Sequence, residues 1–304
     1  LIIAAGILQI PVIKRAQEMG YYTIAVDSNK NAPGIKIANK SIIADITDSE
    51  LILKYAIEEK INGVIHPCSE VAMNTMARIN EEMCLSGIDL KMAIKSTNKV
   101  QMRTAFESAN ISSPISKEVY NDENAIQIAK KIDGDIIIKP SRNSGSRGVT
   151  HLKSNATAND IIIAYKHAVE NSYDNSAVIE EYIDGPEFSV EIIICNNEPK
   201  VLTVTDKFTS GSPYFVELGH SQPSQYSEKE LFNIKHLAKA GCRALGLNWC
   251  VAHAEIKLQD KKPYIIEIGA RLGGDFISTE LVRLSTGVDM VAAAIDISLG
   301  KIPD

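Results

Sequence analysis

Cys250-Val-Ala-His-Ala-Glu-Ile-Lys-Leu258 and Tyr264-Ile-Ile-Glu-Ile268, joined by Gln259-Asp-Lys-Lys-Pro263, read as two apolar strands and a short polar turn. One glutamate interrupts each strand, Glu255 in the first and Glu267 in the second. A turn centred on Lys261 sets the two directly opposite, with Cβ atoms roughly 4.5–5.5 Å apart on one face. Like charges so placed repel. A shared divalent cation removes the repulsion, and two carboxylates with positions left open for phosphate oxygens suit a Mg²⁺–nucleotide site. The alternative is two exposed edge carboxylates, or salt bridges to Lys257 and Arg271.

Moving outward, Ser141-Arg-Asn-Ser-Gly-Ser-Arg-Gly148 lies between two predicted strands and is rich in small residues. Its backbone N–H groups can cradle phosphate oxygens, and glycine permits the close approach; by itself such a loop is as well read as a hairpin turn. It lacks the G-x-x-x-x-G-K-S/T pattern of a Walker loop. Lys139 ends the apolar strand just before it, positioned to reach the α- and β-phosphates while the loop covers the γ-phosphate. Lys99 opens a helix and is a second candidate cation, although a surface role is commoner for a lysine. In Glu180-Glu-Tyr-Ile183 and Asp184-Gly-Pro-Glu-Phe-Ser-Val-Glu191, carboxylates gather at an inter-strand junction. Glu187, Ser189 and Glu191 share one strand face. There a carboxylate can accept both ribose hydroxyls and the junction backbone can pair with an adenine edge; a half-solvated polar face is the plainer reading.

At 304 residues the chain is long enough for two or three subdomains. Its 45% hydrophobic and 23% charged content is that of a folded soluble protein. A net charge of −6 gives no support to a nucleic-acid partner. The five cysteines show neither C-x-x-C pairs nor zinc spacing, which fits reduced, mostly buried thiols and a cytoplasmic location. No apolar run is long enough for a membrane span and no signal peptide is visible. The chain opens on a strand without an initiator Met, so residues are expected to precede it.

Residues 1–90 alternate strands (Leu1–Ala5, Thr23–Val26, Ser41–Ala44, Gly63–His66) with helices (Pro11–Met19, Ser49–Lys60, Glu70–Met83), which predicts a parallel sheet with crossovers. Ala5-Gly6 and Asp27 imitate a dinucleotide fold, but no complete G-x-G-x-x-G follows the first strand. Beyond residue 91 the pattern becomes α+β. Helices are expected over Lys99–Ala109, Asp122–Lys131, Ala158–Glu170, Glu228–Leu245, Phe276–Ser285 and Met290–Leu299. Strands are expected at 135–140, 149–152, 177–183, 187–195 and 201–207, besides the glutamate hairpin.

The collinear series Lys99, Ile138-Lys-Pro140, Ser144-Gly-Ser-Arg-Gly148, Glu180–Ile183, Glu187, Glu255 and Glu267, behind a Rossmann-like opening, resembles the ATP-grasp superfamily. The resemblance covers nearly the whole chain. It implies an α/β and α+β architecture: a Rossmann-like domain over 1–90, and an ATP-grasp domain over 91–304 with a small lid at about 112–182 and a larger part at about 183–304. It implies ATP with Lys99 and Lys139 on the phosphates beside Ser144, Gly145, Ser146 and Gly148. Glu180, Glu181, Tyr182, Ile183 and Glu187 fall on adenosine, and Glu255 and Glu267 on Mg²⁺ or Mn²⁺. Glu267-Ile-Gly-Ala-Arg-Leu-Gly-Gly274 is similar to the carboxylate–amine ligase branch, especially the L-amino acid ligases. Many members carry an asparagine where Gly269 stands, so a third protein metal ligand is in question. Arg271 falls where the family holds the reacting carboxylate. Thr205–Phe208 and Pro213–His220 are similar to substrate-side segments, with Glu217, His220, Arg271 and Gly273 on the substrate. The resemblance also suggests a further C-terminal segment, and a homodimer is the expected assembly.

The reaction so implied joins a carboxylate, an amino acid, to an amine through an acyl phosphate, with release of ADP and phosphate. Lys139 and Arg271 stabilise the developing charge. His220, Glu217 or water can take the amine proton. Two other readings stand beside it: a carboxylase or carbamoyl-phosphate synthase-like enzyme that uses bicarbonate, and a non-catalytic nucleotide-binding regulator. His253, on the face of Glu255, and His66 are read as structural histidines.

Overall fold

The computed structural model describes residues 1–213 and 215–303. Tyr214, in the segment Pro213–His220, and the terminal Asp304 lie outside them. Strands β1 (Ile2–Ile3), β2 (Ile24–Asp27) and β3 (Lys40–Ile43) form a parallel sheet in that order, with helix α1 (Ile10–Glu18) crossing from β1 to β2. The first strand is shorter than expected because Ala4 has a φ of 72°. The next amide, Ala5 N–H, donates to the Asp27 carboxylate at 2.8 Å. Asp27 also accepts the Asn29 amide, so the residue that imitates a dinucleotide site is spent on its own loop. The strand expected at Gly63–His66 reduces to one parallel bridge, Ile2↔Ile65, since Pro67 has no N–H with which to extend the ladder.

Four helices follow: α2 (Ser49–Glu58), α3 (Met73–Glu82), α4 (Leu90–Thr97) and α5 (Lys99–Ser108). The sequence reading did not foresee α4. Its start signal is Asp89, whose side chain accepts the Met92 amide, and Asn98 does the same for Gln101 in α5. A four-stranded antiparallel sheet comes next, built from β4 (Ser116–Val119), β5 (Ile136–Pro140), β6 (Thr150–Leu152) and β7 (Ala177–Glu181) in the order β4-β7-β5-β6. Helices α6 (Asp122–Ala129) and α7 (Ala158–Glu170) pack on it.

The larger sheet is antiparallel: β8 (Glu187–Cys195), β9 (Glu198–Thr209), β10 (Glu217–Ser221), β11 (Cys250–Gln259) and β12 (Lys262–Gly269), in the order β10-β9-β8-β11-β12. Helix α8 (Glu228–Leu245) begins with a Ser227–Glu230 capping box and ends at Gly246, whose φ is 75°. The last helix expected before α10 is instead a π-helical turn (Ile277–Leu281) running into α9 (Val282–Thr286), and α10 spans Met290–Ser298.

The hairpin of β11 and β12 pairs Glu255 with Glu267, but not through a turn centred on Lys261. Asp260 and Lys261, with φ of 50° and 64°, make a two-residue turn that sets Gln259 opposite Lys262. That register alone would face Glu255 with Ile266. A one-residue bulge between Ile265 and Glu267 moves the register, and the two glutamates meet.

The hydrophobic core does not stop at residue 90. One cluster joins Ile3, Val26 and Met73 to Phe106, Phe188 and Ala254, and a second joins Val12 and Ile13 to Val251, Leu272 and Met290. The small sheet has a core of its own around Ile136, Ile138, Ile161 and Ile179. All five cysteines are free; Cys242 and Cys250 are buried, whereas Cys84 is exposed. Among the described residues no helix is long and apolar enough to cross a membrane.

Candidate active site

A cavity of about 420 Å³ lies between the small sheet, the large sheet and the segment around Cys68 and Glu70. Strand ends deliver its charged groups. Lys139 comes from the end of β5, Glu187 from the start of β8, Lys207 from β9, and Glu255 and Glu267 from the central part of the hairpin. Lys99 enters from the N-terminus of α5, whose amide donates to Ser141 O at 2.9 Å. Ser144, Gly145 and Ser146 form the rim.

Each hairpin carboxylate has a cation beside it. Lys99 Nζ donates to Glu267 Oε1 at 3.1 Å and to Asn143 O at 2.9 Å. Lys207 Nζ stands 2.7 Å from Glu217, 2.9 Å from Glu187 and 3.4 Å from Glu255. Burial alone would lower both ammonium pKa values; the surrounding carboxylates overcome it and raise them. Lys207 in turn holds Glu255 well below the usual carboxylate range, with help from His253.

Lys139 does reach the cavity, and its counter-ion is Glu180 at 2.7 Å. Glu180 also takes a two-pronged contact from Arg103, at 3.0 and 3.2 Å. Burial pushes this carboxyl up, yet Arg103 and Lys139 bring it down to about 2. Glu180, expected from the sequence on adenosine, lines the cavity and in the ligand-free protein is the internal anion that holds Lys139. Burial lowers the Lys139 ammonium, assisted by Arg103 and Lys99 and opposed by Glu180.

Along the junction, Glu181 spends its amide on Ile115 O and its carboxylate on the Ile115 amide, and Tyr182 donates its amide to Asp135 O. Ile183 O accepts Lys257 Nζ at 3.0 Å. The Ile183 amide has no acceptor among the described residues. The Tyr182 ring stacks on His151 with centroids 4.0 Å apart, and Lys257 Nζ stands 4.9 Å above it.

Arg271 reaches the cavity floor, where Nη2 donates to Glu70 Oε1 at 2.9 Å and Nη1 to Leu272 O; its buried Nε has no acceptor among the described residues. Gly269 makes this pair possible: a Cβ there would stand 3.3 Å from Arg271 Cγ and Nε and 3.4 Å from Glu70 Oε1. An asparagine at 269 would compete for that space.

Three expected residues do not line the cavity. Gly148, with φ of 73°, packs so closely that a Cβ would stand 2.6 Å from Asn171 Cβ and 2.8 Å from Pro140 Cγ. That packing anchors the loop at its end. Gly273 packs on the buried pair His253–Glu191, where an added Cβ would stand 2.6 Å from His253 Nδ1, and its amide donates to Ser278. His220 stands behind the wall, 3.5 Å from Glu217, which does line it. Glu70, Arg103 and Lys207 were not singled out from sequence, whereas Glu191 was noted only on a polar strand face and Lys257 only as an alternative salt-bridge partner. Lys207 lay within the noted segment Thr205–Phe208 and carried a signal, a lysine on a strand. Glu70 and Arg271 are 201 residues apart, and nothing local joins them.

Residues 132–280 match the family described as ATP-grasp domain. Alanine–anticapsin ligase of Bacillus subtilis is 27% identical over 257 residues, covering 78% of this chain and 54% of that protein. The chain thus spans about half the length of that relative. Formate-dependent phosphoribosylglycinamide formyltransferase of Bacillus subtilis is 24% identical over 285 residues, covering 89% of this chain and 70% of that protein. The solved structure of an L-amino acid ligase from Bacillus licheniformis superposes with a TM-score of 0.85 at 22% identity, over 98% of this chain and 73% of that one. The domain match and the relatives together identify residues 132–280 as an ATP-grasp domain, and the fold of the chain is similar to that of solved ATP-dependent ligases.

Proposed function

We propose that the protein uses Mg²⁺–ATP to convert a substrate carboxylate, that of an amino acid, into an acyl phosphate and then joins it to an amine. The observation that carries this reading is the facing pair Glu255 and Glu267 in one cavity with Lys99, Lys139 and Arg271. No cluster of three metal-ligating side chains exists among the described residues. Two carboxylates without a third ligand fit Mg²⁺, which takes one or two carboxylates and completes its shell with phosphate oxygens and water. Bound there, Mg²⁺ or Mn²⁺ supplies positive charge against the phosphate oxygens.

The chain's own groups divide the remaining work. Lys139, which shares Glu180 with Arg103, and Lys99 hold phosphate oxygens. The free amide of Ile183 meets the adenine edge, and Glu187 takes the ribose hydroxyls. Arg271 has a free Nε donor for the carboxylate that attacks the γ-phosphorus, and it then stabilises the acyl phosphate. The amine attacks that acyl carbon, phosphate leaves, and Glu217 or water takes the amine proton. Two relatives support the reading: one solved structure of similar fold is an L-amino acid ligase, and one sequence relative is an alanine–anticapsin ligase.

The test uses the full-length gene product with Mg–ATP, pooled amino acids and hydroxylamine, recording ADP and hydroxamate together. Hydroxamate that depends on particular amino acids is the expected result. ADP formed without hydroxamate and rising with bicarbonate would establish a carboxylating reaction instead.

A further inference from the structure

The two carboxylates that suit a metal are not bare in the ligand-free protein. Glu267 accepts from Lys99, whose side chain is 6% exposed, and Glu255 stands 3.4 Å from Lys207, whose side chain is 7% exposed. Both ammonium groups are thus withdrawn from water and rely on carboxylates for their solvation. A divalent cation arriving alone must displace Lys99 from Glu267 and meet the charge of Lys207 beside Glu255, where Glu187 and Glu217 hold that ammonium in place. Glu180, the nearest buried carboxylate of the phosphate side, is already held by Arg103 and Lys139. A nucleotide changes this balance, because its phosphates offer Lys99 a new anionic partner and release Glu267.

We propose that Lys99 and Lys207 act as built-in counter-cations of Glu267 and Glu255, so that divalent-cation binding depends on nucleotide arriving to draw the ammonium groups away. This rests on the Mg²⁺–nucleotide reading of the cavity. It adds a coupling between two ligands, which must be reciprocal. Lys99 is the more specific member, since its ammonium also bonds Asn143 O at the base of the phosphate-side loop. Its departure from Glu267 and its engagement of phosphate are one movement of one side chain. Lys207 is shared among three carboxylates and changes partner least.

The test measures Mn²⁺ binding by the free-ion resonance signal, on the whole chain without nucleotide. Removing one ammonium some 3–4 Å from a carboxylate should raise Mn²⁺ affinity about tenfold or more in Lys99→Met and in Lys207→Met. Lys139→Met removes the same charge from the same cavity, but its partner is Glu180. It should therefore change Mn²⁺ affinity much less. Wild-type protein needs no variant for a second reading: ADP should raise protein-bound Mn²⁺ about tenfold beyond what ADP binds in solution. Unchanged Mn²⁺ affinity in both variants, or an equal rise in Lys139→Met, would overturn the counter-cation role alone. Absence of Mn–ADP binding to the wild type, followed by titration calorimetry, would overturn the nucleotide reading and this inference together.

Discussion

At the scale of single residues, charge partners decide what each group can do. Lys139 would be a poor phosphate ligand if burial stripped its charge; Glu180 prevents that, and Arg103 keeps Glu180 ionised. Glu180→Gln should cost about 3–5 kcal/mol by leaving two buried cations short of an anion. The sign of the pH effect follows from the depressed pKa. The Glu180 contribution is complete above its unfolded value of 4.5 and disappears as pH falls toward about 2. Thermal melts from pH 7 to pH 3 should show that loss in the wild type and a shallower one in the Gln variant. Glu267→Gln should reduce Mg–ATP turnover by about 100-fold or more, because negative charge at the metal is removed, and should also lower the melting temperature, because the buried Lys99 ammonium loses its carboxylate. Undiminished turnover would remove Glu267 from the metal site. Arg271→Ala should depress hydroxamate formation far more than ADP affinity in calorimetry; an equal loss of both would separate Arg271 from the substrate carboxylate.

At the scale of elements, two local devices aim the site. The bulge at Ile266 brings Glu267 opposite Glu255 and turns the Ile266 carbonyl toward Arg103, which donates to it at 2.7 Å. The second device is the loop after β12, which carries Arg271 and Asp275. Its Gly273 is fixed by a hydrogen bond from its amide to Ser278 Oγ, by the Cys68 thiol donating to its carbonyl, and by close packing on His253. Gly273→Ala inserts a Cβ 2.6 Å from His253 Nδ1 and 3.0 Å from Glu191 Oε1, both buried, so the loop must move. The expected outcome is a loss of turnover of about 10- to 100-fold, with ATP affinity changed far less, as a misplacement of about 1 Å commonly costs. Separate titration of ADP binding and steady-state turnover checks it.

At the scale of the molecule, the small sheet stands apart because its core is its own, while residues 1–90 share two cores with the large sheet. The Glu70–Arg271 pair crosses the same seam. A chain shortened to begin at residue 91 should lose cooperative thermal unfolding, since clusters around Phe106, Val251 and Leu272 would be opened to water. The separate core of the small sheet makes its closure over a bound nucleotide the expected response. Hydrogen exchange with Mg–ADP should slow at residues 141–149 and 180–187 with little change in α8. Uniform slowing across the chain would indicate global stabilisation instead of closure on a ligand.

The sequence by itself determined most of the elements and their order. Capping pairs such as Ser227 with Glu230 and alternating patterns such as Glu187–Cys195 are local, and local chemistry fixes local structure. It also marked Lys99, Lys139, Glu187, Glu255, Glu267 and Arg271, because a charged residue within an apolar strand, or at a strand or helix end, stands out against its neighbours. Only the tertiary structure decided which charges face which. Glu180 proved to be paired with Arg103 and Lys139, Gly148 and Gly273 to be tightly packed outside the cavity lining, and Glu70, Arg103 and Lys207 to be partners of the expected groups. An ion pair or a Cβ clash depends on distances of about 3 Å between segments up to 201 residues apart, and no pattern along the chain encodes such a distance.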